Sequence, residues 1–336
     1  MAVAAIVGIA GTALDEEERA LFQARPPLGV ILFRRNVTDR SQVSDLAAEL
    51  LERFGALVAV DQEGGRVARL TAPGWSRRPA AARIGALHRA DPAAGERAAF
   101  LHGRLIGADL AEVGIGLDCA PVLDRAVPGA DAVIGDRAFS ADPEAVAVLA
   151  ARMADGLLEA GVQPVGKHAP GHGRALVDSH LALPVLDAPA ETDLLPFRRC
   201  SGLPWLMTAH IRFDALDPQR PATLSPFVIR NVIRGAIGFD GVLVSDDLAM
   251  HAVGGEPGPV ARRALDAGCD VALHCSGAIA DTRAVLEAAG EPTPAARHRL
   301  ATAAAQARER MRPVDRAAAE AEYAALLLGG APAAAG

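Results

Sequence analysis

The stretch Val162-Gln163-Pro164-Val165-Gly166-Lys167-His168-Ala169-Pro170-Gly171-His172 decides the fold of this chain. A short and mostly apolar run ends in a cation and an imidazole, and a loop rich in Gly and Pro follows. A run of this length, bounded by turn residues, is typical of a buried strand. Because α/β enzymes keep their chemistry on the loops that leave such strands, Lys167 and His168 are candidate functional residues.

The same pattern of an apolar run followed by a polar or Gly-containing turn recurs along the chain. The runs are Val3–Ile9, Gly29–Phe33, Leu57–Asp61, Ile115–Pro121, Val162–Lys167, Trp205–His210, Val242–Asp246 and Asp270–His274. Stretches with helical spacing lie between them, the clearest being Ser41–Phe54, Gly95–Val113, Pro143–Ala160, Ser225–Ile237 and Pro257–Ala267. Alternating strands and amphipathic helices predict a parallel sheet with helical crossovers.

About eight such units predict an α/β fold of the TIM-like (β/α)8 barrel type. A doubly wound sheet is the alternative, but no GxGxxG follows the first strand. We expect one catalytic domain over residues 1–330 and a frayed Ala/Gly/Pro tail over residues 331–336. Thr71–Pro92 and Ala126–Asp142 are predicted to be long excursions from the barrel, and Ala-rich helices near Ala301–Leu327 are expected on its outside.

Composition excludes several classes of function. The chain has 336 residues, a formal net charge of −7 and 4% aromatic residues, so it lacks the basic and stacking surfaces that nucleic-acid binding needs. Its four cysteines show no CxxC spacing and are interpreted as reduced thiols. No apolar run is long enough to cross a membrane, and the apolar start, Met1–Ala10, is too short for an export signal. We expect a cytoplasmic monomer, without nucleic-acid or membrane partners, that acts on a small molecule.

Polar side chains stand at the carboxyl ends of several predicted strands. They are Asp61, Asp118, Lys167, His168, His210, Asp246 and His274. One polar residue at a strand end is common in turns and caps, but closing the strands into a barrel would gather this set around one mouth. We therefore expect the functional site at that mouth.

Two charged segments fit this mouth, and each also has a purely structural interpretation. In Asp61-Gln62-Glu63-Gly64-Gly65-Arg66-Val67-Ala68-Arg69, a carboxylate can accept hydrogen bonds from substrate hydroxyl groups and an arginine can bind an acidic or carbonyl group. A salt-bridged turn explains this segment equally well. In Ile134-Gly135-Asp136-Arg137-Ala138-Phe139, Arg137 either reaches the mouth or pairs with Asp136 at the surface, and the surface pairing is slightly favoured.

Three histidines, His168, His172 and His180, lie close together in the sequence. They could bind a metal, but two of them flank Pro170-Gly171 rather than sharing a helix face, and Lys167 would repel a cation. No metal and no cofactor is therefore expected. Lys167 and His168 are interpreted as donors to substrate oxygens, and His172 as a brace for the loop.

Asp178 and His180 form a pair in which the carboxylate can orient the imidazole for proton transfer. It would also stabilise the protonated imidazole, as in serine hydrolases. The alternative is a surface turn with an Asx-type hydrogen bond.

Ser245-Asp246-Asp247 ends another buried strand, where an unpaired carboxylate is costly. One acid can serve as a nucleophile while the other caps the following helix. Alternation puts Asp246 and Asp247 on opposite faces of the strand without choosing between them.

Taken together, these motifs resemble the single-domain β-N-acetylglucosaminidases of glycoside hydrolase family 3. The motifs are K-H-x-P-G-H-G…D-S-H from Lys167, V-D-Q-E-G-G-R-V-x-R from Val60, I-G-D-R-x-F from Ile134, M-T-A-H from Met207 and G-F-D-G-V-x-V-S-D-D-L from Gly238. The resemblance extends from the first strand to about Cys275. It implies a TIM-like barrel and a retaining double displacement with a covalent glycosyl-enzyme intermediate.

The resemblance also implies roles for individual residues. Asp246 matches the nucleophile, His180 the general acid/base and Asp178 its partner, in place of the pair of carboxylates usual in glycosidases. The residues matching the binding site for an N-acetylglucosamine unit are Asp61, Arg69, Arg137, Lys167 and His168. The implied substrate is a muropeptide that loses β-1,4-linked N-acetylglucosamine during peptidoglycan recycling. A phosphorylase using the same site is the alternative, because a histidine acid/base repels phosphate less than a carboxylate does.

The chain differs from the family pattern at two places. Ala169 stands where an aromatic residue is usual, and Arg174-Ala175 replaces an acidic residue and a threonine. Arg174-Ala175 lies within the segment Gly171–Leu181, which we expect to be mobile and to close over the sugar, and Ala169 lies two residues before it. Because these side chains differ from the family pattern, the pattern does not predict how this loop packs.

Overall fold

Eight parallel strands close into a barrel in the computed structural model, in the order β1-β12-β11-β9-β7-β6-β3-β2. The strands are β1 Val3–Gly8, β2 Pro27–Leu32, β3 Leu57–Val60, β4 Gln62–Gly64, β5 Val67–Ala68, β6 Leu117–Asp118, β7 Gln163–Ala169, β8 Val185–Leu186, β9 Trp205–Thr208, β10 Arg212–Phe213, β11 Val242–Asp247 and β12 Val271–His274. The two remaining pairs, β4–β5 and β8–β10, lie outside the barrel. The predicted TIM-like barrel is confirmed.

The structure describes residues 2–71, 74–179 and 181–329. His180 and the tail 331–336 therefore lie outside the described residues. In the described part, no helix combines the length and the apolar character that crossing a bilayer requires.

Helices alternate with the barrel strands. They are α1 Glu16–Ala24, α2 Arg40–Phe54, α3 Ala81–Ala90, α4 Pro92–Glu112, α5 Pro143–Glu159, α6 Glu191–Arg199, α7 Pro257–Ala267, α8 Ile279–Ala289, α9 Pro294–Arg310 and α10 Arg316–Gly329. Short 3-10 turns cover Arg34–Asn36, Gly135–Arg137 and Ala222–Leu224, and a π-helix covers Val228–Ala236.

Each strand separates two layers of core. Ile6, Ile31 and Val165 belong to a cluster drawn largely from the strands, which fills the barrel. Their neighbours Val7 and Leu32 belong to a larger cluster between the strands and the helices. Because both faces of every barrel strand are covered, the strands are apolar along most of their length. Polar side chains are consequently concentrated where the strands end.

The expected helices are present, with two differences. Thr71–Pro92, expected to be a long excursion, contains the helix α3. Its prolines at 79 and 92 lie outside α3, so the alanine-rich run between them is free to be helical. The stretch Ser225–Ile237 forms a π-helix over Val228–Ala236 instead of an ordinary α-helix.

Candidate active site

A cavity of about 430 Å³ opens at the carboxyl ends of the barrel strands, a size typical of small-molecule sites. Seven of the predicted site residues line it: Asp61, Arg69, Arg137, Lys167, His168, Asp178 and Asp246. The eighth, His180, lies outside the described residues, one position beyond Ser179, which also lines the cavity. The structure thus brings together in one cavity groups that the sequence spreads over five strand ends and their loops.

Lys167 lies at the centre of an ion network in the wall of this cavity. Its Nζ donates to Asp61 Oδ1 at 2.9 Å and lies 2.6 Å from Glu63 Oε1. Arg69 donates to the other oxygen of Asp61 at 3.1 Å, and the Arg137 guanidinium makes a bidentate pair with Glu63 at 2.7 and 2.9 Å. Three cations and two carboxylates are therefore fixed together, with one positive charge in excess.

Burial and charge oppose each other in this network. Burial alone would raise the pKa of Asp61, but Lys167 and Arg69 outweigh it and hold that pKa below its usual range. Burial would lower the pKa of Lys167, but Asp61 and Glu63 raise it above its usual value. The network is consequently fully ionised at neutral pH, and its charges are already oriented before a substrate arrives.

The structure decides between the two interpretations of Arg137, and the slightly favoured surface pairing with Asp136 is wrong. Asp136 pairs instead with Arg66, at 2.9 Å. Arg137 turns inward because the buried carboxylate of Glu63 needs a second cation. The segment Asp61–Arg69 was interpreted either as a salt-bridged turn or as part of the site. Both interpretations apply, since Asp61 is salt-bridged and also lines the cavity.

Asp124 holds His168 in place. Its Oδ2 accepts hydrogen bonds from the ring Nδ1 of His168 at 2.7 Å and from the His168 backbone N–H at 3.1 Å. Its Oδ1 accepts from the backbone N–H of His172 at 2.6 Å. Because Nδ1 is occupied, the Nε2 edge is the part of the His168 ring that remains for a ligand.

The loop after β7 is fastened at two points. His172 is buried and its Nε2 is hydrogen-bonded to Ser179 Oγ at 3.1 Å, which agrees with its predicted role as a brace. Burial and the neighbouring His168 lower the pKa of His172 to about 4, so the ring is neutral. Ser179 follows Asp178 directly, and this contact therefore supports the segment that carries the proposed proton-transfer pair.

Arg174 supplies the second fastening. Its Nε donates to Asp193 Oδ2 at 2.6 Å, while Arg125 donates to Asp193 Oδ1 at 2.8 Å. Asp193 is nearly buried at the start of α6. Arg174, which departs from the family pattern, therefore has a specific partner. The ion pair attaches the first part of the loop to α6.

The two acids at the end of β11 have different partners. Asp247 Oδ1 accepts hydrogen bonds from the backbone N–H groups of Ala249 and Cys275, both at 2.9 Å. Asp246 Oδ1 accepts only from the N–H of Asp247, at 2.8 Å, among the described residues. Asp247 therefore fastens the turn and the next strand, rather than capping the following helix as we expected.

Histidines and burial set the charge of Asp246. Burial would raise the pKa of this carboxyl, but the nearby imidazoles of His210 and His168 keep it below its usual value. His210 is itself buried, and its two ring nitrogens bind Thr223 Oγ1 at 2.8 Å and the carbonyl of Asp247 at 2.9 Å. Asp246 is therefore an ionised carboxylate facing a cavity, which is the state a nucleophile requires.

Comparison with known proteins identifies the family. The model of the glycosyl hydrolase family 3 N terminal domain matches residues 5–305. The chain belongs to glycosyl hydrolase family 3. Relatives named beta-hexosaminidase from Alkalilimnicola ehrlichii and Thioalkalivibrio sulfidiphilus are 43% and 44% identical over 306 residues, covering 88% of this chain and 86% and 87% of theirs. A crystal structure of NagZ from Neisseria gonorrhoeae in complex with N-trifluoroacetyl-D-glucosamine is similar with a TM-score of 0.85 and 34% identity, over 97% of this chain and 98% of that one.

The family 3 chain is a glycoside hydrolase, and two buried acids that our prediction of site residues omitted contact the side chains that line its cavity. Glu63 completes the ion network, and Asp124 orients His168. Glu63 lies in a segment already singled out for its charge, so its position beside Asp61 was a usable signal. Asp124 stands between Leu123 and Arg125 without any such pattern.

Metal binding finds no support in the part of the family 3 chain that the structure describes. No group of three or more histidine, cysteine or acidic side chains there has the arrangement of a metal site. His168 and His172 are instead committed to Asp124 and Ser179.

Proposed function

We propose that this family 3 glycoside hydrolase is a retaining exo-β-N-acetylglucosaminidase. It would remove the non-reducing terminal β-1,4-linked N-acetylglucosamine from muropeptides during cell-wall recycling. The observation that carries the proposal is an ionised Asp246 that lines the same cavity as a preorganised cation network. The names of its relatives support the β-hexosaminidase class. We further propose a monomer that works in the cytoplasm and needs no cofactor.

In the first step, an Asp246 oxygen attacks the anomeric carbon and the bond to the leaving-group oxygen breaks. The leaving oxygen takes its proton from the acid, and a covalent glycosyl-enzyme ester remains. In the second step, water gives a proton to the same group and its oxygen displaces Asp246, so the product keeps the β configuration. The differing partners of Asp246 and Asp247 support this choice of nucleophile, because Asp247 is occupied by two backbone donors.

We assign proton transfer to His180, with Asp178 as its partner. The support is that Asp178 lines the cavity and that the loop is fastened on both sides of it. A histidine titrates near neutral pH, with an ordinary pKa of about 6.5, and can therefore act as acid and then as base. Replacing His180 by Ala should slow substrates with poor leaving groups far more than aryl substrates. Equal losses on both would contradict the acid role.

Asp61, Arg69, Arg137, Lys167 and His168 would bind the N-acetylglucosamine unit. Asp61 is positioned to accept hydrogen bonds from sugar hydroxyls, while the cations and the free ring edge of His168 can donate to hydroxyl or acetamido oxygens. Because Asp61 and Lys167 are already paired, these contacts would form without reorganising the wall of the cavity.

Trapping with a 2-fluoro N-acetylglucosamine analogue tests the nucleophile directly. The electron-withdrawing fluorine slows both steps, and a good leaving group lets the covalent ester accumulate. Peptide mapping should then find the label on Asp246. A label on Asp247, or on neither acid, would remove the assignment.

A phosphorylase remains the second candidate, because the ion network carries an excess positive charge. That charge would attract an anionic acceptor such as phosphate. The test compares turnover of an aryl N-acetylglucosaminide with and without inorganic phosphate and identifies the sugar product. Free N-acetylglucosamine at an unchanged rate supports the hydrolase, whereas N-acetylglucosamine 1-phosphate would establish the phosphorylase. Full activity after exhaustive chelation would exclude a metal-dependent hydrolase.

A further inference from the structure

A second cavity of about 370 Å³ lies along the β4–β5 hairpin, and nothing in the proposed mechanism uses it. Four arginines line it: Arg34, Arg66, Arg77 and Arg78. Among the described residues that line it there is no aspartate or glutamate, although the chain carries a net charge of −7. A concentration of guanidinium groups of this kind suits carboxylate or phosphate oxygens.

Two of these arginines are already neutralised and two are not. Arg78 is buried and pairs with Glu320 at 2.6 Å, while Arg66 donates to a carboxylate at 2.9 Å. Arg34 and Arg77 are exposed, and neither pairs with an acid anywhere in residues 2–71, 74–179 and 181–329. The uncompensated charge of the cavity therefore belongs to Arg34 and Arg77.

The same cavity also contains buried polar groups without a partner. The Thr71 hydroxyl and the Nε–H of Arg78 make no hydrogen bond to any described residue, and both residues line the cavity. A buried donor that lacks an acceptor costs about 1–3 kcal/mol. An anion held in this cavity would bring the acceptor oxygens that such donors lack.

The second cavity adjoins the first one. Arg66 lines both of them. The consecutive residues Phe33 and Arg34 also divide between them, with Phe33 in the first cavity and Arg34 in the second. The two cavities therefore meet at Arg66 and at the step from Phe33 to Arg34.

We propose that Arg34 and Arg77, with Arg66 at the shared rim, form a subsite for a carboxylate on the aglycone. The aglycone is the part of the substrate beyond the bond that is cleaved. This subsite rests on the proposed function, since it requires an N-acetylglucosaminide in the first cavity. It selects acidic leaving groups over neutral ones and takes no part in the chemical step.

The test uses two substrates that differ in one charge: N-acetylglucosaminyl-β-1,4-anhydro-N-acetylmuramic acid and its methyl ester. The wild-type enzyme should cleave the acid with a kcat/KM about tenfold above that of the ester, the size expected for charge-assisted contacts at an exposed site. In the R34A/R77A variant the KM of the acid should rise until the two substrates are equivalent. Turnover of a neutral aryl N-acetylglucosaminide should stay unchanged, which also shows that the variant is folded.

Arg25→Ala is the matched control. Arg25 is an exposed arginine that precedes β2 and therefore lies at the opposite end of the barrel from the cavities. This variant should retain the preference for the acid. An acid-to-ester ratio that is the same in wild type and in R34A/R77A would overturn the subsite.

Inorganic phosphate separates an aglycone carboxylate from a free anion. Phosphate could raise the Tm of the wild type but not of R34A/R77A, while the acid-to-ester ratio of kcat/KM stays the same in both proteins. In that case the cavity holds a free anion and the aglycone proposal is wrong. If the wild type fails to cleave even the aryl N-acetylglucosaminide, the proposed function fails first, and the subsite fails with it. The two failures are distinguishable because the aryl substrate carries no carboxylate.

Discussion

Asp246 and Asp247 are neighbours with the same side chain, and their different partners predict different consequences of mutation. Asp246→Asn should lower kcat on an aryl N-acetylglucosaminide by at least about 10³-fold, because a neutral amide cannot form the glycosyl ester. Its Tm should change little, since the carboxylate accepts a single short-range hydrogen bond. A non-catalytic sugar-binding protein would instead keep its function in this variant.

Asp247→Asn provides the matched comparison. It should retain measurable turnover but lose stability, because the one oxygen that accepts from both backbone N–H groups would lose its negative charge. A loss of about 1–3 kcal/mol in the free energy of unfolding is expected. The reverse pattern, with Asp247→Asn inactive and Asp246→Asn unstable, would exchange the two roles.

Glu63 is the second residue whose partners predict a measurable effect. Glu63→Gln removes one charge from a buried network and leaves Lys167 and Arg137 without their shared partner. The free energy of unfolding should fall by about 3 kcal/mol, and the KM for an N-acetylglucosaminide should rise about tenfold as the two cations relax. Denaturant unfolding and steady-state kinetics measure these effects.

Glu96→Gln is the control for Glu63→Gln. Glu96 pairs with Arg152 at 3.0 Å on the surface, where half of the arginine side chain is exposed. Such a pair contributes less than about 1 kcal/mol. Equal destabilisation by the two variants would show that the network around Lys167 contributes no more than a surface pair.

The same residues show how far the sequence predicts a site. Asp61, Lys167 and Asp246 were predictable because each stands at or just beyond the carboxyl end of a recognisable strand, and a barrel gathers strand ends. Asp124 was not, since its partner His168 lies 44 positions away and no local pattern marks the pair. The direction of Arg137 also depended on Glu63, 74 positions earlier. Pairings across the barrel require the tertiary structure.

At the scale of elements, the loop after β7 depends on one close approach. A Cβ on Gly173 would lie 2.3 Å from the carbonyl oxygen of Arg125, well inside contact distance. Gly173→Ala should therefore displace the loop stem that also carries Arg174. We expect a fall in kcat of about tenfold or more and a loss of about 1–3 kcal/mol in stability.

Gly202→Ala is the control for this loop variant. Gly202 has no neighbouring atom within 4 Å of the added Cβ and lies between α6 and β9, away from the cavity. Its kcat should remain that of the wild type. If Gly173→Ala behaves in the same way, the loop tolerates displacement and its fastening is not needed for catalysis.

Elements differ in how well the sequence predicts them. Barrel strands were visible because burial on both faces makes them continuous apolar runs. The helix α3 was missed because prolines on either side suggested a loop, although none lies within Ala81–Ala90. The π-helix Val228–Ala236 could not be recognised either, because its apolar spacing also fits an α-helix. The local pattern therefore identifies elements more reliably than their boundaries or hydrogen-bond register.

At the scale of the whole molecule, the helix α10 is connected to the ion network through one buried histidine. The Nδ1 of His102, on α4, lies 2.7 Å from the hydroxyl of Tyr323 on α10, and its Nε2 lies 2.8 Å from the carbonyl of Glu63. A carbonyl can only accept, so Nε2 carries the proton and Nδ1 accepts from the tyrosine hydroxyl. The C-terminal helix thus supports the hairpin that bears the ion network.

This histidine makes stability depend on pH. Burial lowers the pKa of His102 to about 4, against about 6.5 in the unfolded chain. The neutral His102 makes its full contribution to the free energy of unfolding above pH 6.5. This contribution is lost as the pH falls towards 4, because the unfolded state binds the proton first. The free energy of unfolding should therefore fall by up to about 1.4 kcal/mol per pH unit for this histidine.

Denaturant titrations between pH 7 and pH 5 measure this slope, because free carboxylates, with pKa values of about 4, remain largely ionised there. His102→Gln keeps a donor and an acceptor but does not titrate, so its slope should be shallower. Some slope should persist, since the pKa of His172 is also lowered to about 4. Identical slopes in both proteins would show that His102 does not titrate in this range.

The buried cysteines permit a spectroscopic experiment in which the native cysteines need not be replaced. All four thiols are buried and free, and burial raises the pKa of each, that of Cys200 to about 12. Thiolates are the form that maleimides modify, so the native protein should resist alkylation at neutral pH. A dye attached after Leu176→Cys, at a site 71% exposed on the loop, would therefore report from one position, and a change in its emission during turnover would test the predicted closure of the loop.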